Sequence, residues 1–284
     1  MEKIHLKFID DMTMAESINL KASLIKNPEV NPPRPFNYHE RTQHIMPKQN
    51  FKLQTMLDDL KDYTLKHQMR VNENKTKVIL FNSALKYDFQ PNLTLDNESQ
   101  LEVVEEIRLL GVNISADLSW SSNTASMCQK AYSRLWMLRR LKPLGASAEE
   151  LLEVYDKQIR CMVEFATPVW TSGLTLAEIG QLERVQKCAF NIILSGSYCN
   201  YKKALKTMGR KTLMVRRKEL NLNFAKKCLK SEKYQRWFSE FNPSDQSSKT
   251  RSTIPDLLLE PVKARTNNFK NSPIAYITRL LNEK

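Results

Sequence analysis

The chain has 284 residues, 44 Lys and Arg against 31 Asp and Glu for a formal net charge of +13, and 41% hydrophobic residues. That apolar content is enough to bury a core and excludes a disordered tail. Six glycines, with no G-x-G-x-x-G and no G-x-x-x-x-G-K-[ST], exclude the usual nucleotide-cradling loops.

In chain order, residues 3–9 put Ile4, Leu6 and Phe8 on one face and His5 and Lys7 on the other, a period of two that predicts a strand. Asp10-Asp11 follow it at once, where a tight turn would hold both carboxylates at a strand end. Residues 12–26 are an apolar mix, and 27–50 carry Pro28, Pro32, Pro33, Pro35 and Pro47, an extended excursion. Leu53, Met56, Leu57 and Leu60 recur at helical spacing, and Val78-Ile79-Leu80-Phe81 reads as a buried strand. Residues 1–115 are therefore expected to be small and mixed α and β.

From about residue 124 the pattern becomes successive amphipathic helices: Met127, Ala131, Leu135, Leu138; Leu152, Tyr155, Ile159, Met162; and Leu182, Val185, Ala189, Ile192. Ser147 with Glu150 and Thr175 with Glu178 fit the capping box, in which hydroxyl and carboxylate reciprocally satisfy orphan amide donors. Leu220, Phe224 and Cys228 form an apolar stripe whose opposite face would carry charge. Residues 239–255 read as a linker before a tail, and no internal repeat is present. The fold class is thus α+β, with an α/β part (1–115), a basic helical part (116–238) and a linker with tail (239–284).

The charge is uneven. Basic against acidic residues number 15 to 17 over 1–125, 22 to 10 over 126–240 and 7 to 4 over 241–284. Within 200–236, thirteen basic residues face only Glu219 and Glu232. Lys202, Lys203, Arg210, Lys211, Arg216, Arg217, Lys226 and Lys227 are the candidates to meet a polyanion, most simply nucleic acid, because a cation on a phosphate releases condensed counterions. A lysine-rich solvated helix is the alternative.

Several other features point to ordinary structure. Cys128, Cys161, Cys188, Cys199 and Cys228 include no C-x-x-C pair, so neither a disulfide framework nor a zinc site is indicated, and reduced core thiols are expected. The four histidines lack ligand spacing. Asp58-Asp59 lies inside a helical pattern and reads as solvated. Trp120, Trp136, Trp170 and Trp237 sit amid apolar patterns and are expected in the core, with contact to a nucleic-acid backbone as the alternative. No stretch reaches the roughly 18 apolar residues of a membrane helix, and the first residues lack the apolar core of a secretory signal, so no membrane partner is expected.

Adjacent aspartates after a strand matter because two-metal phosphoryl transfer needs clustered hard oxygen ligands for Mg²⁺. The chain resembles reverse transcriptases of non-LTR retrotransposons. Phe8-Ile9-Asp10-Asp11 is similar to the palm F/Y-x-D-D hairpin, and Gln54, Leu57, Leu60 and Met69 to the palm helix that follows. Asn72 to Phe81 resembles the N-x-x-K-T segment, and Leu109-Leu110-Gly111-Val112 the element that positions the primer terminus. Leu118-Ser119-Trp120, Arg134 to Leu141, Pro168-Val169-Trp170 and Glu183 to Lys187 resemble the thumb and the helices beyond it.

The resemblance implies RNA-directed DNA synthesis on an RNA template with a DNA primer. Asp10 and Asp11 would hold Mg²⁺, Lys75 would protonate the leaving pyrophosphate, and Leu110 and Gly111 would place the primer end. The family's further catalytic aspartate and its fingers precede the F/Y-x-D-D hairpin, whereas only seven residues precede Phe8 here. The chain as written is therefore expected to be a C-terminal part that does not polymerise alone, unless the reading frame extends upstream. A nucleic-acid-binding module without catalysis, or a truncated copy without function, are the rivals. A retroelement enzyme priming on chromosomal DNA would act in the nucleus, but Arg216-Arg217-Lys218 is too short to be an address.

Overall fold

The computed structural model describes residues 6–7, 12–13, 50–81, 93–95, 100–235, 237–238, 259, 262–263 and 267–283. They are mostly helical with short two-stranded sheets, and the chain divides into two compact units, Met1–Gly111 and Val112–Lys284. The mixed α and β class is as expected, and within the first unit one strand pair is antiparallel and one parallel.

In the first unit, β1 (Leu6–Lys7) and β2 (Met12–Thr13) pair antiparallel, with Leu6 opposite Thr13 and Lys7 opposite Met12. The expected helix is α1 (Asn50–Lys66), and its Leu57 packs with Leu93, Leu95 and Leu101 in a small core edged by Leu53, Val71 and Val78. Gln54 fixes that packing. Its Nε2 donates to the Thr94 carbonyl (2.8 Å) and its Oε1 accepts from the Thr94 amide (3.1 Å), so the side chain bonds residue 94 as a neighbouring strand would.

The strand expected over Val78–Phe81 is shorter and less buried. β3 (Lys77–Val78) pairs parallel with β4 (Glu102–Val103), while Val78, Ile79 and Leu80 are only half-buried and Phe81 is 54% exposed. A two-residue ladder has too little width to enclose both faces. β5 (Glu106–Leu109) ends the first unit and alternates exposed Glu106 and Arg108 with half-buried Ile107 and Leu109, and β6 (Val112–Ser115) opens the second.

The second unit is helical after β6. α2 (Ser121–Leu141) buries Met127, Ala131, Leu135 and Leu138, as their spacing predicts. α3 (Ala148–Val154) runs into a π-helical segment (Tyr155–Arg160) and on into α4 (Cys161–Glu164). The buried stripe there is Leu151, Tyr155, Ile159 and Val163, in steps of four, and not Leu152 and Met162, which are half-buried. A stripe in steps of four drifts around a 3.6-residue helix, and the wider π turn keeps it on one line.

α5 (Thr167–Trp170) buries Trp170. α6 (Leu176–Leu194) lies along α2 and buries Leu182, Val185, Gln186, Ala189, Phe190 and Ile193. Both capping boxes form: Ser147 with Glu150 and Thr175 with Glu178. Buried Glu178 also accepts from Ser121 Oγ (2.8 Å), tying the start of α6 to the start of α2.

α7 (Tyr201–Thr207) leads to α8 (Leu213–Leu229), whose buried face is Leu213, Arg217, Asn221, Ala225 and Cys228. Of the expected stripe Cys228 is buried, whereas Leu220 is half-buried and Phe224 37% exposed, their places taken by Asn221 and Ala225. α9 (Glu232–Gln235) and α10 (Asn267–Lys270) are single turns. α11 (Pro273–Asn282) packs on α8 through Ile277, and Asn282 bonds both backbone groups of Leu259. The described part of 239–284 falls in the second unit, which begins at Val112.

Candidate functional site

Asp10 and Asp11 lie outside the described residues, between the paired positions Lys7 and Met12. Lys75 is exposed at the end of a tight 3-10 turn (Glu73–Lys75). Asn72 holds that turn, since its Oδ1 accepts from the Lys75 amide (3.2 Å) and its carbonyl accepts from Thr76 Oγ1 (2.9 Å). This is a local reason for the Asn-x-x-Lys-Thr spacing: an N-cap side chain bonds the amide three residues on.

Leu110 and Gly111 have φ of 48° and 86°. Glycine takes that left-handed conformation without cost, whereas a leucine there is strained, and Leu110 is 47% exposed. Among the described residues no three His, Cys, Asp or Glu side chains come together as a metal site would require.

The basic segment divides into spent and free charge. Arg210 donates to Asp156 Oδ2 through Nε (3.1 Å) and Nη2 (2.7 Å), and Arg216 Nε donates to Glu164 Oε1 (2.9 Å). Arg160, between the two acids, approaches Asp156 (2.6 Å) and Glu164 (3.4 Å). The steps of four across the π segment therefore place Asp156, Arg160 and Glu164 in one row that Arg210 and Arg216 close at either end. The hydrogen bond to Glu164 raises the pKa of Arg216. Lys211 pairs with Glu219 and Lys218 with Glu283.

Arg217 corrects the sequence reading. It is 1% exposed on the inner face of α8, four residues from Leu213, and cannot reach a phosphate from there. Burial lowers its pKa, opposed first by the charge of Glu183. Lys202, Lys203, Lys226 and Lys227, with Lys206 and Lys230, are exposed and make no ion pair among the described residues.

A second polar network organises the ends of α6, α7 and α8. Tyr155 Oη donates to Gln186 Oε1 (2.5 Å), and Gln186 Nε2 donates to Tyr201 Oη (2.8 Å) and the Lys211 carbonyl (3.0 Å). Tyr201 Oη donates to Glu183 Oε2 (2.5 Å), while Glu183 Oε1 accepts from the Met214 amide in the first turn of α8 (2.8 Å). Burial, then the hydrogen bond to Glu183, drive the Tyr201 pKa upward, and burial does the same to Tyr155. These hydroxyls stay protonated donors, so the network is structural.

The aromatic and thiol expectations need correction in part. Trp170 is buried and Trp120 half-buried, but Trp136 is 56% and Trp237 45% exposed. Cys128 and Cys228 are buried, whereas Cys161, Cys188 and Cys199 are exposed. Trp136, Cys161 and Cys188 lie on the solvent side of helices, a side that an apolar tally does not register, while Cys199 and Trp237 lie outside the helices.

No family model, no curated protein and no solved structure matches this chain. No helix among the described residues is long and apolar enough to cross a membrane.

Proposed function

We propose that the chain is part of an RNA-directed DNA polymerase of the non-LTR retrotransposon kind, from palm hairpin through thumb, whose helical unit holds a template–primer duplex. One observation carries the hairpin reading: Lys7 stands opposite Met12 in an antiparallel pair, which brackets Phe8-Ile9-Asp10-Asp11 between two strands as an F-x-D-D hairpin requires. The ordered motifs that follow, with Asn72 fixing the Lys75 turn and the positive φ of Leu110 and Gly111, are compatible with it. The unpaired lysines on α7 and α8 supply the charge for duplex phosphates.

In this reading Asp10 and Asp11 would hold Mg²⁺, which when bound would supply charge stabilisation for nucleotidyl transfer. Lys75 would donate a proton to the departing pyrophosphate, and the Leu110-Gly111 turn would set the primer end. Two-metal transfer calls for a further carboxylate beyond the adjacent pair.

The test is a titration of the chain with an RNA–DNA hybrid carrying a recessed primer, followed by addition of Mg²⁺ and all four deoxynucleotides. Binding is expected. Magnesium-dependent extension that is lost in Asp10→Ala would support the roles given to the aspartates, and absence of binding would overturn the whole reading.

A further inference from the structure

The run from residue 118 to 148 contains Lys130, Arg134, Arg139, Arg140 and Lys142 and not one Asp or Glu. α2 occupies most of it. Arg134 is committed, donating through Nη1 to the Gln158 carbonyl (2.9 Å), and Lys142 Nζ caps the end of α6 by donating to the carbonyls of Ile192 (2.6 Å) and Ile193 (2.5 Å). Arg139 and Arg140 are exposed and make no ion pair among the described residues.

Tyr132 and Trp136 are 38% and 56% exposed and lie four residues apart on the same helix. At 3.6 residues per turn, Tyr132, Trp136, Arg139 and Arg140 fall within an arc of about 100°, beside the stripe that fills the core and centred about 120° from it. The neighbouring helix α6 extends this edge. Its exposed Arg184 and Cys188 lie close enough to Tyr132 to act on its hydroxyl, while burial is the main influence on that group. Farther along, Arg139 shares an open pocket with Asn191 and Ser195.

The acids on α6 make no ion pair with Arg139, Arg140 or Arg184 among the described residues. Glu178 is held by Ser121 and Thr175, and Glu183 by Tyr201 and Met214. Two exposed aromatic rings flanked by uncompensated arginines match the needs of an unpaired polynucleotide strand: flat faces for bases and cations for phosphates. A duplex hides its bases and leaves the rings without a stacking partner.

We propose that the α2–α6 edge is a site for single-stranded nucleic acid, in which bases stack on Trp136 and Tyr132 and Arg139, Arg140 and Arg184 bind the adjoining phosphates. The proposal rests on the nucleic-acid reading above but assigns a separate surface from the lysines of α7 and α8, which face duplex.

The test is a titration of the full chain with fluorescein-labelled oligouridine and with a blunt RNA–DNA hybrid, each read by anisotropy and by quenching of tryptophan emission. Trp136→Ala is expected to weaken oligouridine binding about tenfold. Trp136→Phe, which keeps a ring, is expected to bind like the wild type while losing most of the quenching. Arg139→Ala with Arg140→Ala is expected to weaken oligouridine and spare the hybrid, and Lys226→Ala with Lys227→Ala to do the reverse.

If the wild type binds both probes and Trp136→Ala leaves oligouridine affinity unchanged, the site is overturned while the nucleic-acid reading stands. Equal losses on both probes would overturn its strand preference. If the wild type binds neither, both claims fail.

Discussion

Arg217 and Asn221 lie one turn apart on the buried face of α8, each 1% exposed, and neither the Arg217 Nη1 and Nη2 nor the Asn221 amide has a hydrogen-bond partner among the described residues. A buried polar group left unsatisfied costs about 1–3 kcal/mol. Arg217→Met keeps most of the side-chain volume and removes the guanidinium, so it is expected to stabilise the chain by roughly that amount, read as a raised denaturant midpoint, with hybrid affinity unchanged. A matching loss of stability, or a loss of affinity, would show that Arg217 has a partner it needs.

Gly173 is expected to tolerate no side chain. A Cβ placed there would lie 2.6 Å from the Trp120 indole, which packs beside the core of the second unit. Gly173→Ala must push the ring or the backbone aside, at a cost of about 1–3 kcal/mol. Trp120→Leu with Gly173→Ala should recover part of that loss in a double-mutant cycle, and purely additive effects would remove the steric explanation.

The buried thiol of Cys128 sets the alkaline behaviour. Burial pushes its pKa from 9.0 up to about 11, with Arg217 pulling the other way. The folded state therefore holds the proton longer than the unfolded chain. Its contribution to stability is complete below pH 9, and it is lost as pH rises from there through about 11. Tyr155 and Tyr201, also raised, add a decline of the same sign. Cys128→Ala is expected to flatten the first part of the decline in denaturation curves taken against pH, and an unchanged profile would contradict the assignment.

Some of this was legible in the sequence, for reasons that particular residues make plain. Met127, Ala131, Leu135 and Leu138 were readable because a regular helix keeps steps of three and four on one face. Ser147 and Thr175 were readable because a cap depends on two residues at a fixed spacing. In the row Leu151 to Val163, Tyr155 and Ile159 were readable, but both ends were misplaced by one residue because a π turn changes the period, and no local signal announces it. The basic segment misled most. Composition counts Arg210, Arg216 and Arg217 as equal to Lys226, yet Asp156, Glu164 and the core claim the three arginines. Trp136, assigned to the core by its apolar neighbours, is outside because those neighbours sit on the other side of α2.

The most direct measurement is the salt dependence of hybrid affinity, comparing wild type with Lys226→Glu, Lys227→Glu and with Arg216→Glu. Removing one lysine from a duplex phosphate should reduce the slope of log affinity against log salt by about 0.9. The account predicts a steep wild-type slope that flattens by about twice that amount in the double lysine variant, whereas Arg216→Glu destabilises the fold beside Glu164 and leaves the slope of the remaining folded protein unchanged. A wild-type affinity independent of salt, or a slope untouched by Lys226→Glu, Lys227→Glu, would contradict it.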